Sequence, residues 1–341
     1  MEQHYIHVLR GAIEESNKLK AIQIRKFGEP ADVVKVVDIA PAPRVDGEVR
    51  IKVEAAGINP SDVANIRGLF PDTRLPRVVG RDFAGQIVEG PSHLIGQKVW
   101  GSGGDIGFTR DGAHAEFITV PSPAATQRPE NLSAEQAAVV GVPFSTAYMS
   151  LENARLAPGE WVLISGAAGA VGAAALELVK ALGGRPIALV RDKTQSPMLD
   201  MSKVEAVATS EPDNIVEVVR AATGGRGVDI ALNGVGASVF QPMMASLAEG
   251  GRMAVYSVSF GGREVKVDLF PLYRKRQELI GINSIPLDAV RAAGILTKLV
   301  PLFESGRLNP PRVAERYLLA DAVKAYERVR AAQGKIAFVI K

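Results

Sequence analysis

The chain of 341 residues contains no cysteine. This absence excludes disulfide bonds, thiolate catalysis and any metal site that needs cysteine ligands. Histidine is also scarce. Of His4, His7, His93 and His114, only the first two have a spacing that suits a shared metal ion. We therefore expect the histidines to be solvated, and we predict no bound metal.

Long apolar runs and an excess of one charge are also missing. No apolar stretch approaches the 18 residues that a membrane-spanning helix needs, and the first ten residues lack the features of a secretory signal. The net charge is +3, from 40 basic and 37 acidic residues. This balance gives no indication of a nucleic acid or membrane partner. We expect a cytoplasmic protein of about two domains.

A glycine-rich turn, SGAAGAVG over residues 165–172, is the most informative motif that is present. An apolar run at 160–164 predicts a buried strand before the turn, and residues 173–182 predict a helix after it. A second strand is predicted at 186–190. In this setting Gly166 permits a tight turn, Gly169 lets the backbone approach phosphates, and Gly172 lets helix and strand pack closely. The motif predicts a site for the pyrophosphate of a dinucleotide.

Short strand patterns dominate residues 19–125 and predict a mostly antiparallel β domain. The predicted strands are 20–25, 33–37, 48–53, 85–89 and 115–120, and Ser133 is predicted to cap a helix. Strand and helix patterns then alternate over 143–284, which is typical of a doubly wound parallel sheet. There we predict helices at 214–220 and 240–247 and strands at 228–232 and 251–256. The remaining predictions are helices at 289–305 and 320–333 and a closing strand at 335–340.

The end of the second strand in the nucleotide unit distinguishes NADP from NAD. NAD sites usually carry an acid there, whereas NADP sites carry cations that pair with the 2′-phosphate. Here the strand ends at Val190 and is followed by Arg191, Asp192 and Lys193. A shift of one residue would make Asp192 the acid of an NAD site. We favour NADP, because Arg191 can offer two donors to a phosphate and Lys193 adds a point charge.

Several motifs give the chain a resemblance, over residues 20–341, to the zinc-independent quinone oxidoreductase-like branch of the medium-chain dehydrogenase/reductase superfamily. They are AGINPSD at 56–62, GRDFAG at 80–85, GAHAEF at 112–117, LSAEQAA at 132–138, STAY at 145–148, the glycine turn and GKI at 334–336. The resemblance implies a homodimer and an α/β fold in which a Rossmann doubly wound parallel sheet joins a discontinuous GroES-like, mostly antiparallel β domain. We accordingly predict an extension at 1–18, the GroES-like catalytic domain at 19–142 and 285–341, and the Rossmann NADP-binding domain at 143–284.

Zinc-dependent relatives hold catalytic zinc with two cysteines and a histidine. The corresponding positions in this chain are Asn59, Arg81 and Val142, whose side chains do not form such a site. Without a Lewis acid, ordinary alcohol oxidation is disfavoured. The chemistry that remains is hydride transfer from NADPH to an acceptor that is already activated, such as a quinone or an α,β-unsaturated carbonyl compound.

Asn59 and Asp62 are the candidate catalytic residues, because relatives line the nicotinamide cleft at these positions. Asn59 can donate an N–H to substrate or ribose, and Asp62 can hold a water molecule or orient a neighbour. Both side chains also suit the capping of a helix start. The remaining candidates are implied cofactor contacts: Thr146, Gly166, Ala168, Gly169, Ala170, Val171, Gly172, Arg191, Lys193, Asn233, Val235, Gly236, Tyr256 and Ser257.

The sequence therefore predicts an NADPH-dependent reductase of quinones or activated alkenes that works on a small-molecule electrophile. One alternative is an acryloyl-CoA-type or enoyl thioester reductase. Such reductases of this superfamily carry a proton-donating tyrosine where this chain has Phe70, which weakens that alternative. A second alternative is an NADPH-binding protein that senses redox state or serves an interaction without turnover.

Overall fold

The computed structural model describes residues 18–258 and 262–341. They form two compact units, which are described one at a time. The first unit contains the described residues up to Val142 together with 285–306 and 310–341, and the second contains 143–284 with 307–309. Almost all of the predicted extension at 1–18, with His4 and His7, lies outside the described residues.

The first unit begins with short strands and three short helices. They are β1 (Leu19–Ile24), α1 (Pro30–Val33), β2 (Lys35–Ile39), β3 (Glu48–Ile58), α2 (Pro60–Ile66), β4 (Arg77–Val78), β5 (Asp82–Glu89), β6 (Lys98–Gly101), β7 (Phe117–Pro121), β8 (Thr126–Gln127) and α3 (Ala134–Ala137). The strand predicted at 33–37 was wrong at its start. Pro30 favours a helix at its first position, and Val33 ends that helix before β2 begins at Lys35.

The predicted cap of α3 is confirmed. The Ser133 hydroxyl accepts a hydrogen bond from the Gln136 backbone N–H at 3.2 Å. The Gln136 side chain in turn accepts from the Ser133 backbone N–H at 3.0 Å. This reciprocal pair satisfies two N–H groups that the first turn of a helix leaves open.

The second unit alternates helices and strands. Its elements are α4 (Gly141–Asn153), which starts in the last residues of the first unit, then β9 (Trp161–Ser165), α5 (Ala170–Ala181), β10 (Arg185–Val190), β11 (Ala206–Thr209), α6 (Pro212–Thr223), β12 (Val228–Asn233), α7 (Ala237–Ala245), β13 (Leu247–Val255), α8 (Leu269–Arg274) and β14 (Glu278–Gly281). The six strands form one parallel sheet in the order β11-β10-β9-β12-β13-β14. This order is that of a dinucleotide-binding fold, so the predicted doubly wound sheet is confirmed.

Two boundaries in this unit differ from the sequence-based prediction. The helix predicted at 240–247 ends at Ala245, and the strand predicted to begin at Gly251 begins at Leu247. Gly250, with a φ of +71°, lies inside this strand. In sequence, the pair Gly250–Gly251 favours a turn. In the structure the pair lies within β13, where the register between β12 and β13 is irregular.

The chain then completes the first unit with α9 (Ala289–Glu304), β15 (Val313–Tyr317), α10 (Ala322–Arg328) and β16 (Lys335–Val339). The helix predicted at 320–333 is shorter than expected and follows a single 3₁₀ turn. The order of the larger sheet is β15-β16-β3-β5-β6-β8, with β7 also paired to β3. These pairs are antiparallel except for β15 with β16, which confirms the GroES-like prediction.

The register of β16 on β3 positions the buried groups discussed below. Ile336 lies opposite Ile58, and Phe338 lies opposite Ala56. Lys335 is therefore brought beside the residue that follows β3, which is Asn59. Among the helices of the described residues, none combines the length and the hydropathy needed to span a membrane.

Candidate functional site

The glycine turn has the shape that its sequence predicts. β9 ends at Ser165, and Gly166 has a φ of +62°, a left-handed conformation that favours glycine. Gly169 is the N-cap of α5, and its N–H donates to the Gly166 carbonyl at 2.8 Å. A Cβ on Gly172 would lie 2.2 Å from the Gly166 carbonyl oxygen. Glycine at these positions therefore lets the turn fold tightly under the start of α5.

This turn fits the pyrophosphate of a nicotinamide dinucleotide. Ala170, Val171 and Gly172 form the first turn of α5, where backbone N–H groups have no partner inside the helix. The positive end of the helix dipole lies at the same place. Ala167, before the predicted contact Ala168, donates its N–H to the Leu189 carbonyl and so ties the turn to β10.

The loop after β10 brings two cations to the surface. Arg191 and Lys193 are both exposed. The Asp192 carboxylate caps the 3₁₀ turn that follows by accepting the Thr194 backbone N–H at 2.8 Å, and it also accepts the Thr194 hydroxyl. The hydroxyl bond, followed by the backbone bond, holds the pKa of Asp192 below its usual value. The Asp192 carboxylate therefore stabilises its own loop.

The loop after β12 is shaped from within by Asn233. This side chain is buried, and its oxygen accepts the N–H groups of Val235 and Gly236 at 3.1 and 2.9 Å. The Ser165 hydroxyl donates to the Leu232 carbonyl and accepts the Gly234 N–H. The structure thus places Asn233 as a support for the predicted contacts Val235 and Gly236. Sequence reasoning gave no such role to Ser165.

Tyr256 lies over the backbone of Gly234. A Cβ on Gly234 would be 2.2 Å from the Tyr256 hydroxyl oxygen, so only glycine leaves room for this ring. Burial raises the pKa of Tyr256 well above its usual value, which keeps the phenol protonated. Ser257 is the next residue along the chain. Thr146 is buried in the second turn of α4, and its carbonyl accepts the Ser150 hydroxyl.

In the first unit, the candidate Asn59 is the centre of a buried hydrogen-bonded cluster. Its amide oxygen accepts from the Lys335 ammonium at 2.5 Å, and its amide nitrogen donates to Asp82 Oδ2 at 2.9 Å. An ammonium can only donate and a carboxylate can only accept, so the two charges determine the orientation of the amide. Asn59 bridges a buried cation and a buried anion.

Asp62 belongs to the same cluster. Its Oδ2 atom accepts the Asn59 backbone N–H at 2.7 Å, which is the capping contact that the sequence offered as one of two roles. Burial raises the pKa of Asp62 to about 7, and the charge of Asp82 adds to this effect. Lys335 Nζ also donates to the Ile58 carbonyl at 2.9 Å. Burial lowers the pKa of Lys335, and the two carboxylates oppose that lowering.

The positions that hold zinc in relatives do not fit the metal here. The Asn59 amide is engaged at both ends by Lys335 and Asp82. Arg81 is a buried cation whose Nε donates to the Gly103 carbonyl at 3.0 Å. Val142 offers no donor atom in its side chain, and its backbone N–H is directed at Asp82. Within the described ranges, no three acidic or histidine side chains are grouped to hold a metal ion.

The expectation of solvated histidines was wrong for His114. This residue is fully buried, with Nδ1 at 2.6 Å from the Tyr326 hydroxyl and Nε2 at 3.1 Å from the Gly57 carbonyl. A carbonyl only accepts, so Nε2 carries the proton and Nδ1 accepts from Tyr326. Burial lowers the pKa of His114 to about 4, which keeps the ring neutral. His93 is exposed, as expected.

Phe70 contributes a ring and no hydroxyl to its surroundings. It packs edge-on against Phe108, with ring centroids 5.1 Å apart. The guanidinium of Arg81 lies 5.6 Å from the centroid of the same Phe108 ring. The aromatic pair Phe70–Phe108 therefore lies next to the buried Arg81 guanidinium.

Comparisons with known proteins agree with this fold. The alcohol dehydrogenase GroES-like domain profile matches residues 45–130, and the zinc-binding dehydrogenase profile matches residues 170–293. A zinc-type alcohol dehydrogenase-like protein of Schizosaccharomyces pombe is 35% identical over 318 residues, covering 91% of this chain and 94% of that protein. A quinone oxidoreductase-like protein 2 homolog of Nematostella vectensis is 27% identical, covering 85% and 80%.

Among solved structures, mycobacterial Rv1454c complexed with NADPH superposes with a TM-score of 0.80. It is 27% identical to this chain, and the match covers 94% of this chain and 99% of that one. The match therefore includes residues of both units of the protein.

Proposed function

The chain belongs to the medium-chain dehydrogenase/reductase superfamily, and on that premise we propose that it is an NADPH-dependent reductase of quinones or activated alkenes that works without zinc. Its relatives identify it as an oxidoreductase that uses a nicotinamide cofactor. One observation supports this choice of reaction. At the positions that correspond to zinc ligands, Asn59 is bonded to Lys335 and Asp82, and Arg81 is a buried cation.

The acceptor class follows from this chemistry. Bound NADPH supplies a hydride. A simple ketone reacts faster when a Lewis acid polarises its oxygen, whereas a conjugated acceptor spreads the incoming charge by itself. Hydrogen-bond donors are then sufficient to stabilise the oxyanion that develops. The quinone oxidoreductase-like relative supports the same class of acceptor.

The test is a turnover screen of the purified protein. NADPH and NADH oxidation are measured with 1,4-benzoquinones, with acrolein-type enones and with enoyl-CoA thioesters. We expect turnover with NADPH on the first two classes. A strong preference for thioesters would favour the enoyl thioester alternative, and tight NADPH binding without turnover on any acceptor would favour a sensing or interaction role.

Replacing Arg191 with alanine is expected to weaken NADPH binding at least about tenfold and to leave NADH binding within about twofold. A lost charge-assisted hydrogen bond to phosphate costs about 1.5–3 kcal/mol, and NADH has no 2′-phosphate. Asp192 Oδ1 already accepts the Thr194 N–H and hydroxyl, which favours Arg191 over Asp192 as the residue that contacts this end of the cofactor. The measurement is the Kd of each cofactor by quenching of protein fluorescence.

The matched control for that substitution is Arg220→Ala, which removes an exposed arginine at the end of α6 in the same unit. It should leave both affinities unchanged. If Arg191→Ala weakens NADH binding as much as NADPH binding, the assignment of this arginine to the phosphate is wrong.

We also propose that the protein is a homodimer that pairs through β14. This strand ends the parallel sheet as described, and an exposed edge is a template for pairing with another chain. Leu269, Phe270, Tyr273 and Leu279 lie exposed on α8 and β14. A two-fold axis beside this edge would bury the same patch of both copies.

Leu279→Lys is expected to shift the protein from dimer to monomer in light scattering coupled to gel filtration. A charge in the centre of an apolar contact costs the association several kcal/mol. Val36→Lys, at an exposed apolar position on β2 of the first unit, is the matched control and should leave the mass unchanged. A wild-type protein that is monomeric at micromolar concentration would contradict the proposal.

A further inference from the structure

The two carboxylates of the buried cluster have unequal surroundings. Asp82 Oδ1 accepts the Ser102 hydroxyl at 2.6 Å and the Val142 N–H at 3.0 Å, and Oδ2 accepts the Asn59 amide at 2.9 Å. The bond that the structure gives Asp62 is the backbone N–H of Asn59 on one oxygen.

Three charged groups act on Asp62: Arg81, which precedes β5, Asp82, which begins β5, and Lys335 on β16. Tyr326 on α10, a neutral phenol, also lies within the electrostatic influence of Asp62. Lys335 donates hydrogen bonds to the Asn59 amide oxygen and to the Ile58 carbonyl. The compensating cation is thereby linked, through Asn59, to Asp82. The raised pKa of Asp62, with a single donor on its carboxyl, places the proton on this acid.

We propose that Asp62 stores the proton that completes the reduction of an activated alkene; this step rests on the reductase function proposed above. After hydride addition at the β-carbon, the α-carbon carries the electron pair. That pair forms a C–H bond with the carboxyl proton, delivered directly or through a hydroxyl, and the O–H bond of Asp62 breaks. The Asp62 carboxylate regains a proton from solvent after the saturated product leaves.

Ser61 supplies a hydroxyl suited to the delivery. It precedes Asp62 in α2, and its Oγ atom is buried without a hydrogen-bond partner among the described residues. A buried hydroxyl that pairs with nothing in the protein is costly unless a ligand or water completes it. The hydrogen bond from the Asn59 N–H holds the Asp62 carboxyl in place.

Quinones and alkenes make different demands on this proton. Reducing a quinone leaves charge on oxygen, and oxygen takes a proton from water quickly. Reducing an activated alkene leaves an enolate, and the product forms only when its α-carbon is protonated. Protonation at carbon is slow, and a positioned acid accelerates it by about 10²–10⁴. The proposal therefore predicts that loss of the acid affects alkenes selectively.

The test compares Asp62→Asn with the wild type on both acceptor classes. The introduced amide has the same shape and keeps an oxygen for the Asn59 N–H. We expect kcat at pH 6 to fall roughly 100-fold with an enone and less than about threefold with a quinone. Asp32→Asn, in the first turn of α1 and exposed, is the matched control and should change neither rate.

The pH profile separates a proton store from a structural support. The acid acts when protonated, so wild-type kcat with the enone should fall as pH rises through about 7, the pKa given by burial. The variant should lose this fall. A purely structural role would lower kcat at every pH and keep the inflection, and that result would overturn the proposal.

A spectroscopic titration needs no turnover. In protein labelled with ¹³C at aspartate carboxyls, the signal that disappears in Asp62→Asn should titrate near pH 7 in the wild type. A signal already ionised at pH 5 would overturn the proposal whatever the fate of the variant. If the wild type turns over no acceptor, the proposed function fails on its own, and the titration still decides the protonation of Asp62.

Discussion

Replacing Lys335 with methionine is expected to destabilise the first unit by about 3–5 kcal/mol, the usual cost of removing one partner of a buried ion pair. Lys335 is 4% exposed. Its ammonium joins the Ile58 carbonyl and, through the Asn59 amide, Asp82. Methionine keeps most of the volume but leaves two buried carboxylates facing Arg81 alone.

The unfolding of the first unit can be followed separately. The chain has two tryptophans: Trp100 lies in β6 of the first unit and Trp161 in β9 of the second. In a Trp161→Phe background, urea unfolding followed by fluorescence reports Trp100. The substitution should lower the urea midpoint of this transition, with the slope unchanged.

Two further variants serve as controls for the Lys335 substitution. Lys20→Met removes an ammonium that is 61% exposed in its ion pair with Asp38, and it should cost only a small fraction of the Lys335 effect. Combining Lys335→Met with Asp82→Asn removes a charge of each sign and should recover part of the lost stability. A single Lys335 variant as stable as the Lys20 variant would contradict the buried bridge.

Gly172→Ala is expected to weaken NADPH binding at least about 100-fold and to destabilise the second unit by about 1–3 kcal/mol. The added Cβ would lie 2.2 Å from the Gly166 carbonyl oxygen and 2.7 Å from the Ala167 Cα, so the backbone of the turn must move. Overpacking of this kind costs about 1–3 kcal/mol. Losing two hydrogen bonds from the turn to a phosphate, at about 1.5–3 kcal/mol each, weakens binding at least about 100-fold.

Binding and stability are measured together, by NADPH titration and by urea unfolding followed through Trp161. Gly169→Ala is a graded comparison, because its Cβ would meet the Gly166 oxygen at 3.1 Å. It should affect binding more than stability. Gly294→Ala in α9, where nothing lies within 4 Å, should keep full affinity. Equal NADPH affinity for Gly172→Ala and Gly294→Ala would show that the turn does not bind the cofactor.

Local sequence was sufficient to predict the shape of the glycine turn. The turn at 165–172 joins one strand to the next helix, so its glycines and the bond from the Gly169 N–H to the Gly166 carbonyl lie within a few residues of one another. The conformations of Gly166 and Gly172 follow from the absence of a Cβ, which is a property of the sequence itself. The same locality explains why the cap at Ser133 was predictable.

The predicted element boundaries were wrong where two local sequence signals competed. Val33 belongs to a β-branched run that predicts a strand, yet Pro30 starts a helix that includes it. Gly250 and Gly251 signal a turn, yet β13 passes through them beside its neighbour β12. Pairing with β12 decided the course of β13, and a neighbouring strand is not visible in a local window. At Val33 the local proline signal prevailed over the strand signal.

The sequence by itself determined the parallel nucleotide fold, the glycine turn, the cations after β10 and the absence of cysteine ligands. Only the tertiary structure decided that His114 is buried and that Asn59 is held by Lys335, 276 residues away. The reason is physical. Periodicity and glycine geometry act over a few residues, whereas a buried charge is defined by the partners that the fold brings to it.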